Sequence, residues 1–244
     1  MSRGPKVLGV VGARSGSKSI PNKSIKPLLG KPLMAWIIEA AKNSKYITKL
    51  ILSTDFPEYA EIGKKYGAEI PFLRPAELAL DSVPDFDFLY HAATWMRDNV
   101  GFQADIILRL PPTTPLCRPE HIDACVELLI NDPSADSSRT IISAPKHPYK
   151  LWKTEGKYLK PFLPEEFTGF KDTHNMPRQS FPKAYSHVDV IALRWDTLVN
   201  QKSMAGEKVL YHEINKNDAV DIDSETDFLL AEILLKRRLG FGPI

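Results

Sequence analysis

VLGVVGARSGSKSIPNKSIKPLLGKP, residues 7–32, is the stretch from which the rest of the chain can be read. A short apolar run, Val7 to Val11, predicts a buried strand. It breaks into the polar loop Gly12-Ala13-Arg14-Ser15-Gly16-Ser17-Lys18-Ser19, and a helical pattern follows Pro32. Glycine admits close backbone approach, serine hydroxyls and main-chain N–H groups donate, and arginine and lysine supply charge, so the loop suits a polyoxygen anion. The named loops do not fit. A Walker loop needs four residues between its glycines, and Gly12 and Gly16 enclose three; the dinucleotide fingerprint is also absent. From this stretch alone, a solubilising polar loop remains the competing reading.

Outward from the loop, strand and helix signals alternate. Leu33, Trp36, Ile37, Ala40 and Ala41 recur at helical spacing, and residues 49–53 read as a strand ending in Ser53-Thr54-Asp55. A helix is expected from Pro57 to Tyr66, stopped by Gly67, then a short strand over 69–72. Helices are predicted over 84–99 and 119–131, and strands over 105–110, 140–143, 188–193 and 209–214. A last extended element, 219–227, leads into a helix over 228–238, with Ser224 and Asp227 close to a capping box. This alternation predicts an α/β fold, a parallel sheet with helices on both faces and its ligand beyond the strands' carboxyl ends. The alternation fails over 145–183, where prolines and the aromatics Trp152, Tyr158, Phe162, Phe167 and Phe170 concentrate. These rings need burial, either in a subunit interface or over a site mouth.

The 244 residues, 43% hydrophobic and 25% charged, suit one domain over 1–244 with 145–183 as an excursion. A net charge of +2 gives no bulk case for nucleic acid or membrane as partner. Cys117 and Cys125 make neither a disulfide framework nor a zinc spacing, and no signal-peptide pattern or membrane-length apolar run occurs, so the expected location is the cytosol. The six histidines form no metal spacing, and there is no nucleophile elbow. Asp221 and Asp223 lie two apart and share a face if extended; the pair could hold Mg²⁺, or Asp223 and Ser224 could simply cap the last helix. Arg178 is either a clamp for a carboxylate or phosphate, or a solvent-facing loop residue.

Taken in order, these segments resemble the acylneuraminate cytidylyltransferase (CMP-sialic acid synthetase) family. The resemblance rests on the loop from Ala13 to Lys23, Ser53-Thr54-Asp55, Leu73 to Ala79 followed by Asp81, Pro111 to Cys117, Pro177-Arg178-Gln179, and Asp221 to Asp227. It implies a Rossmann-like, mostly parallel sheet flanked by helices, with 145–183 as a loop-rich dimerisation excursion in a homodimer. It implies transfer from CTP to a 2-keto-3-deoxy sugar acid with Mg²⁺, giving a CMP-sugar and pyrophosphate by attack of the anomeric hydroxyl on the α-phosphorus. By the same resemblance Arg14, Lys18 and Lys23 hold the triphosphate, in a nucleotide loop that includes Ala13 and Ser17. Arg74 and Asp85 lie near cytosine and ribose. Arg178, Gln179 and Pro111 face the sugar. Asp221 and Asp223 bind the metal, with Asp221 catalytic.

The chain departs from the pattern mainly on the sugar side. Ser24 stands for an asparagine, Pro111 for a glutamine and Cys117 for an arginine. The run Tyr185-Ser186-His187-Val188-Asp189 lacks the arginine and the asparagine expected after the aromatic residue, and Arg109 or Lys183 is the candidate replacement charge. A modified acidic nonulosonic sugar therefore fits at least as well as sialic acid. A non-catalytic nucleotide- or sugar-binding homologue, and a transferase using another sugar or nucleotide, are the competing readings.

Overall fold

The opening strand, β1 (Val7–Gly12), divides its side chains between two apolar layers, Val7 and Val11 in one and Leu8 and Val10 in the other. A strand apolar on both faces belongs at the centre of a covered sheet. In the computed structural model, which describes residues 4–16 and 19–241, it lies there.

After β1 come the two-residue strands β2 (Pro27–Leu28) and β3 (Lys31–Pro32), α1 (Leu33–Lys42), β4 (Ile47–Ser53), α2 (Pro57–Tyr66), α3 (Asp85–Val100) and β5 (Ile106–Leu110). Next are α4 (Pro119–Asn131), β6 (Ser137–Ser143), the hairpin β7 (Trp152–Glu155) and β8 (Tyr158–Pro161), and the single turn α5 (Glu165–Thr168). The chain ends with β9 (Tyr185–Arg194), β10 (Val209–Glu213) and α6 (Glu225–Arg238). Six strands form the main sheet in the order β10-β6-β9-β5-β1-β4. All pairings are parallel except those of β9, which runs against both neighbours. On one face α1 and α4 contribute Met34, Ile37, Ile38, Ile122, Val126 and Leu129; on the other α3 contributes Phe88, Leu89, Ala92 and Met96. A third cluster joins Ile20 and Leu28 to Val220, Ile222, Phe228 and Leu235, so the C-terminal segment packs against the opening loop.

Most elements fall where periodicity places them. Helix α2 starts on Pro57 and stops at Gly67, whose φ of 102° is a left-handed conformation that glycine adopts without strain. Three expectations need correction. Residues 69–72 make no strand; Glu69 forms a single bridge to Ile51, and Pro71 has no N–H to extend a ladder. The 219–227 element is extended as far as Ser224 but outside the sheet, tied to the segment after β5 by Ile222 N–H to Thr113 O at 2.9 Å. Helix α6 begins at Glu225, earlier than its apolar pattern, because Ser224 and Asp227 complete a capping box; the Asp227 carboxylate accepts from Ser224 N–H at 2.8 Å. The antiparallel direction of β9 was also not expected. A parallel partner is imposed by a crossover helix, and the 145–183 segment before β9 carries only the single turn α5.

That segment has a fixed root and an exposed body. His147 is buried; its Nε2 donates to Pro182 O at 2.9 Å and its Nδ1 accepts from Tyr149 N–H. Tyr149, Phe170 and Phe181 pack around it. Beyond the root every residue of β7 and β8 is exposed, and Phe167 is 70% exposed. No helix among the described residues is long and apolar enough to cross a membrane.

Candidate functional site

The carboxyl ends of β1 and β5 open onto a cavity of about 360 Å³ lined by Arg14, Lys23, Asp85, Arg109, Pro111 and Asp223 among others. Its cationic wall comes from three places. Arg14 leaves the end of β1 and forms an ion pair with Asp81. Lys23 follows Asn22, whose φ of 52° is a left-handed turn that asparagine tolerates, and its Nζ donates to Ile222 O at 2.6 Å and to Asp223 Oδ1 at 3.1 Å. Arg109, near the end of β5, donates through Nε to Asp85 Oδ2 at 2.6 Å, in the first turn of α3. Lys26 reaches Glu225 at 2.6 Å, a second tie between the opening loop and the start of α6. Each cation is thus held near a carboxylate at the rim, and an incoming polyanion would exchange those partners for phosphate oxygens.

Behind the cavity lies a second layer. Arg74 is buried, donating through Nε to Ser53 Oγ at 3.0 Å and through Nη2 to Ser53 O at 2.6 Å, with its guanidinium 4.4 Å from the centre of the Phe88 ring. Burial lowers its pKa to about 10, so it stays charged at neutral pH. Its expected place is beside cytosine. Gly12 and Phe88 line the cavity and Arg74 does not; it touches both from behind. The approach is close, since a Cβ on Gly12 would lie 2.6 Å from Phe88 Cζ. Ala13, expected in the nucleotide loop, has its methyl in the core, and its N–H donates to Ser53 O at 3.1 Å. Ser17 and Lys18 lie outside the described residues.

Asp221 and Asp223 project outward while Val220 and Ile222 are buried, the two-residue alternation expected of an extended segment. Asp223 lines the cavity, and the Thr113 hydroxyl donates to Asp221. The Asp221 side chain reaches solvent, yet protein on its flanks desolvates it, and with the neighbouring charge of Asp223 this raises its pKa; Thr113, Arg109 and Lys23 act the other way. Asp221 and Asp223, two carboxylates side by side, are a hard oxygen donor set of the kind that fits Mg²⁺.

Arg178, Gln179 and Lys183 do not enter this cavity. They line a second one of about 470 Å³, with Ser143, His147, Tyr185 and Glu213, further along the same sheet edge. Arg178 donates through Nη2 to Ser143 Oγ at 3.0 Å and also to Ala144 O, joining the excursion to the end of β6. Between the cavities β9 carries His187, whose Nδ1 donates to Thr140 O at 3.3 Å; desolvation, Arg139 and Arg109 lower its pKa to about 4. Pro111 lies in the first cavity, away from Arg178.

Sequence reasoning placed Arg109 with the sugar, whereas it lines the first cavity as the partner of Asp85. It also left Asp55 without a role. The Asp55 carboxylate accepts from Ser15 N–H at 3.0 Å and Ser15 Oγ at 2.7 Å and so fixes the loop. The signal was the Ser53-Thr54-Asp55 triplet, which supplies both this contact and the acceptors for Arg74.

A family model described as "Cytidylyltransferase" matches residues 8–155. N-acylneuraminate cytidylyltransferase of Escherichia coli O18:K1:H7 is 28% identical over 235 residues, covering 96% of this chain and 53% of its own length, so this chain spans about half of that relative. CMP-N,N'-diacetyllegionaminic acid synthase of Legionella pneumophila is 29% identical over 236 residues, covering 95% of this chain and 97% of its own. A solved structure of CMP:2-keto-3-deoxy-manno-octonic acid synthetase complexed with CTP superposes with a TM-score of 0.70 at 17% identity, covering 96% of this chain and 99% of that one; at that identity the likeness speaks for the fold.

Proposed function

The chain belongs to the cytidylyltransferase family, and from this we propose that it transfers CMP from CTP to an acidic 2-keto-3-deoxy sugar of the nonulosonic type. The observation that carries the reading is one sheet edge with two adjoining cavities of different chemistry. The first sets Arg14, Lys23 and Arg109 against a carboxylate pair, as a metal-bound triphosphate requires. The second presents Arg178 and Lys183, as an acidic sugar requires. The acceptor's anomeric oxygen forms a bond to the α-phosphorus, and the bond from that phosphorus to the bridging oxygen breaks, releasing pyrophosphate. Arg14 and Lys23 offset the charge that gathers on the departing oxygens. The hydroxyl proton leaves at the cavity mouth, where Asp221 is the protein group with raised proton affinity. Asp221 and Asp223 would hold Mg²⁺, which supplies further charge neutralisation. The relatives named for legionaminic and acylneuraminic acids support a nine-carbon acid. The altered residues Ser186 and Val188 favour one with substituents unlike those of sialic acid.

Incubation with a panel of nucleoside triphosphates and sugar acids tests this. Pyrophosphate release with CTP and a nonulosonic acid is expected; tight CTP binding with no turnover on any acidic sugar would instead indicate a non-catalytic homologue. The exposed Tyr158, Leu159, Phe162 and Phe167 support a homodimer built through the excursion. Light scattering should give twice the chain mass for the parent and the chain mass for a Tyr158→Glu, Phe167→Glu variant. The buried free thiols Cys117 and Cys125 suit a cytosolic enzyme.

A further inference from the structure

Below the floor of the first cavity, three buried side chains meet that the reaction does not use. Cys117 closes the segment after β5, His121 lies in the first turn of α4, and Asp189 sits on β9. They are 4%, 7% and 2% exposed, and one donor atom from each lies within 4.8 Å of the others. Both Asp189 oxygens are buried without a hydrogen-bond partner. The nearest basic atom, His121 Nδ1, is 3.8 Å from Asp189 Oδ2, beyond hydrogen-bond reach. The backbone that aims this carboxylate inward is itself unusual: Asp189 has a φ of 32°, at a bulge where β9 shifts register against β6. A buried carboxylate held in this way is costly unless a proton or a cation shares the space.

We propose that Cys117, His121 and Asp189 form a structural site for a borderline-soft divalent cation of the zinc class. Thiolate, imidazole and carboxylate are a zinc-type donor set, and a thiol is a poor ligand for Mg²⁺. Bond lengths of about 2.0–2.3 Å place tetrahedral donors roughly 3.5 Å apart, so the three close by about 1.3 Å at most. Binding replaces the thiol proton, which is released, and displaces the 3.3 Å bond that His121 Nδ1 accepts from Arg118 N–H. The outer contacts are those of a metal-bound histidine. His121 Nε2 lies 3.7 Å from Asp218 Oδ2, close enough to become its donor on a small shift, and Asp218 is held by Arg238 at 2.7 Å and by Arg118. The ion would pin the start of α4 to β9 beneath Pro111 and Thr113. The site holds whether or not the acceptor is a nonulosonic acid.

The full chain, stripped with a chelator, is titrated with Co²⁺. One equivalent should give a near-ultraviolet thiolate-to-cobalt charge-transfer band with visible d–d bands, and Zn²⁺ should bleach both. Cys117→Ser should remove the charge-transfer band, and Asp189→Asn should weaken Co²⁺ binding at least about tenfold. The Asp221→Asn, Asp223→Asn variant should keep the band, separating this site from the carboxylate pair. No charge-transfer band in the parent chain, or one that persists in Cys117→Ser, overturns the proposal. Should Cys117→Ser fail to fold by circular dichroism, X-ray absorption of the zinc-loaded parent decides: a sulfur neighbour at about 2.3 Å supports the site, and only oxygen and nitrogen overturn it.

Discussion

The two cavities along the sheet edge are built differently. The first stands on the ends of central strands, and its cations are already oriented by Asp81, Asp85 and Asp223 within the same chain. A layer behind it, Arg74 with Ser53 and Phe88, is buried and fully bonded. The second hangs on the root of the excursion, whose outer half exposes Tyr158, Phe162 and Phe167 to solvent. A site on rigid elements holds geometry, and a site on a loop accepts change. On the proposed function, the chemistry would sit on the strands and the choice of acceptor on the excursion.

The largest effect should come from the first cavity. Lys23→Ala and Asp221→Ala are each expected to lower kcat/KM by about a hundredfold or more with an unchanged circular dichroism spectrum. Near-normal turnover in both would erase the contrast between the regions. Next is the layer behind. Arg74→Ala should cost about 2–4 kcal/mol in urea unfolding, because it removes the donor to buried Ser53 Oγ and one of the two donors to Ser53 O beside an emptied space, and Arg74→Lys should recover only part. A raised KM for CTP with full stability would return Arg74 to a direct nucleotide role. In the second cavity, Arg178→Ala should raise the acceptor KM about tenfold and leave that of CTP unchanged, the loss of one charge-assisted contact. Equal effects on both substrates would show the cavities to be one.

The smallest effect lies between them. The His187 ring resists protonation until about pH 4 in the folded chain, against 6.5 for an ordinary histidine. Between those values the unfolded state binds more protons, so stability falls as pH drops through that window and is fully present above it. His187→Gln should flatten the decline in unfolding free energy between about pH 7 and about pH 5. An unchanged slope would mean that the ring, part of which reaches solvent, is not held neutral by Arg139 and Arg109.

Much of this was legible in the sequence because local rules agreed with the fold. Pro57 and Gly67 bound α2 by their own backbone preferences, and the alternation of Val220, Asp221, Ile222 and Asp223 showed which side chains face out. What was not legible depends on distance in three dimensions. Arg74 is a cation in a proline-flanked loop segment, and only the contact with Ser53 and Phe88 shows that its charge is engaged inside the protein. Arg109 lies in an apolar strand, and nothing local says that Asp85, twenty-four residues earlier, is its partner. The direction of β9 was hidden for a related reason, since an extended run carries no mark of which way it is paired.

That direction has a consequence for how the molecule can vary. Because β9 opposes β6, Ser143 at the end of one strand pairs with Tyr185 at the start of the other. The intervening residues therefore leave and rejoin the sheet at a single point, like a cassette clipped between two adjacent posts. Their length and composition can be exchanged without rethreading a strand or moving β1 and β5. A graft of another chain's segment at Ser143 and Tyr185 would thus change the second cavity while the first is left as it stands.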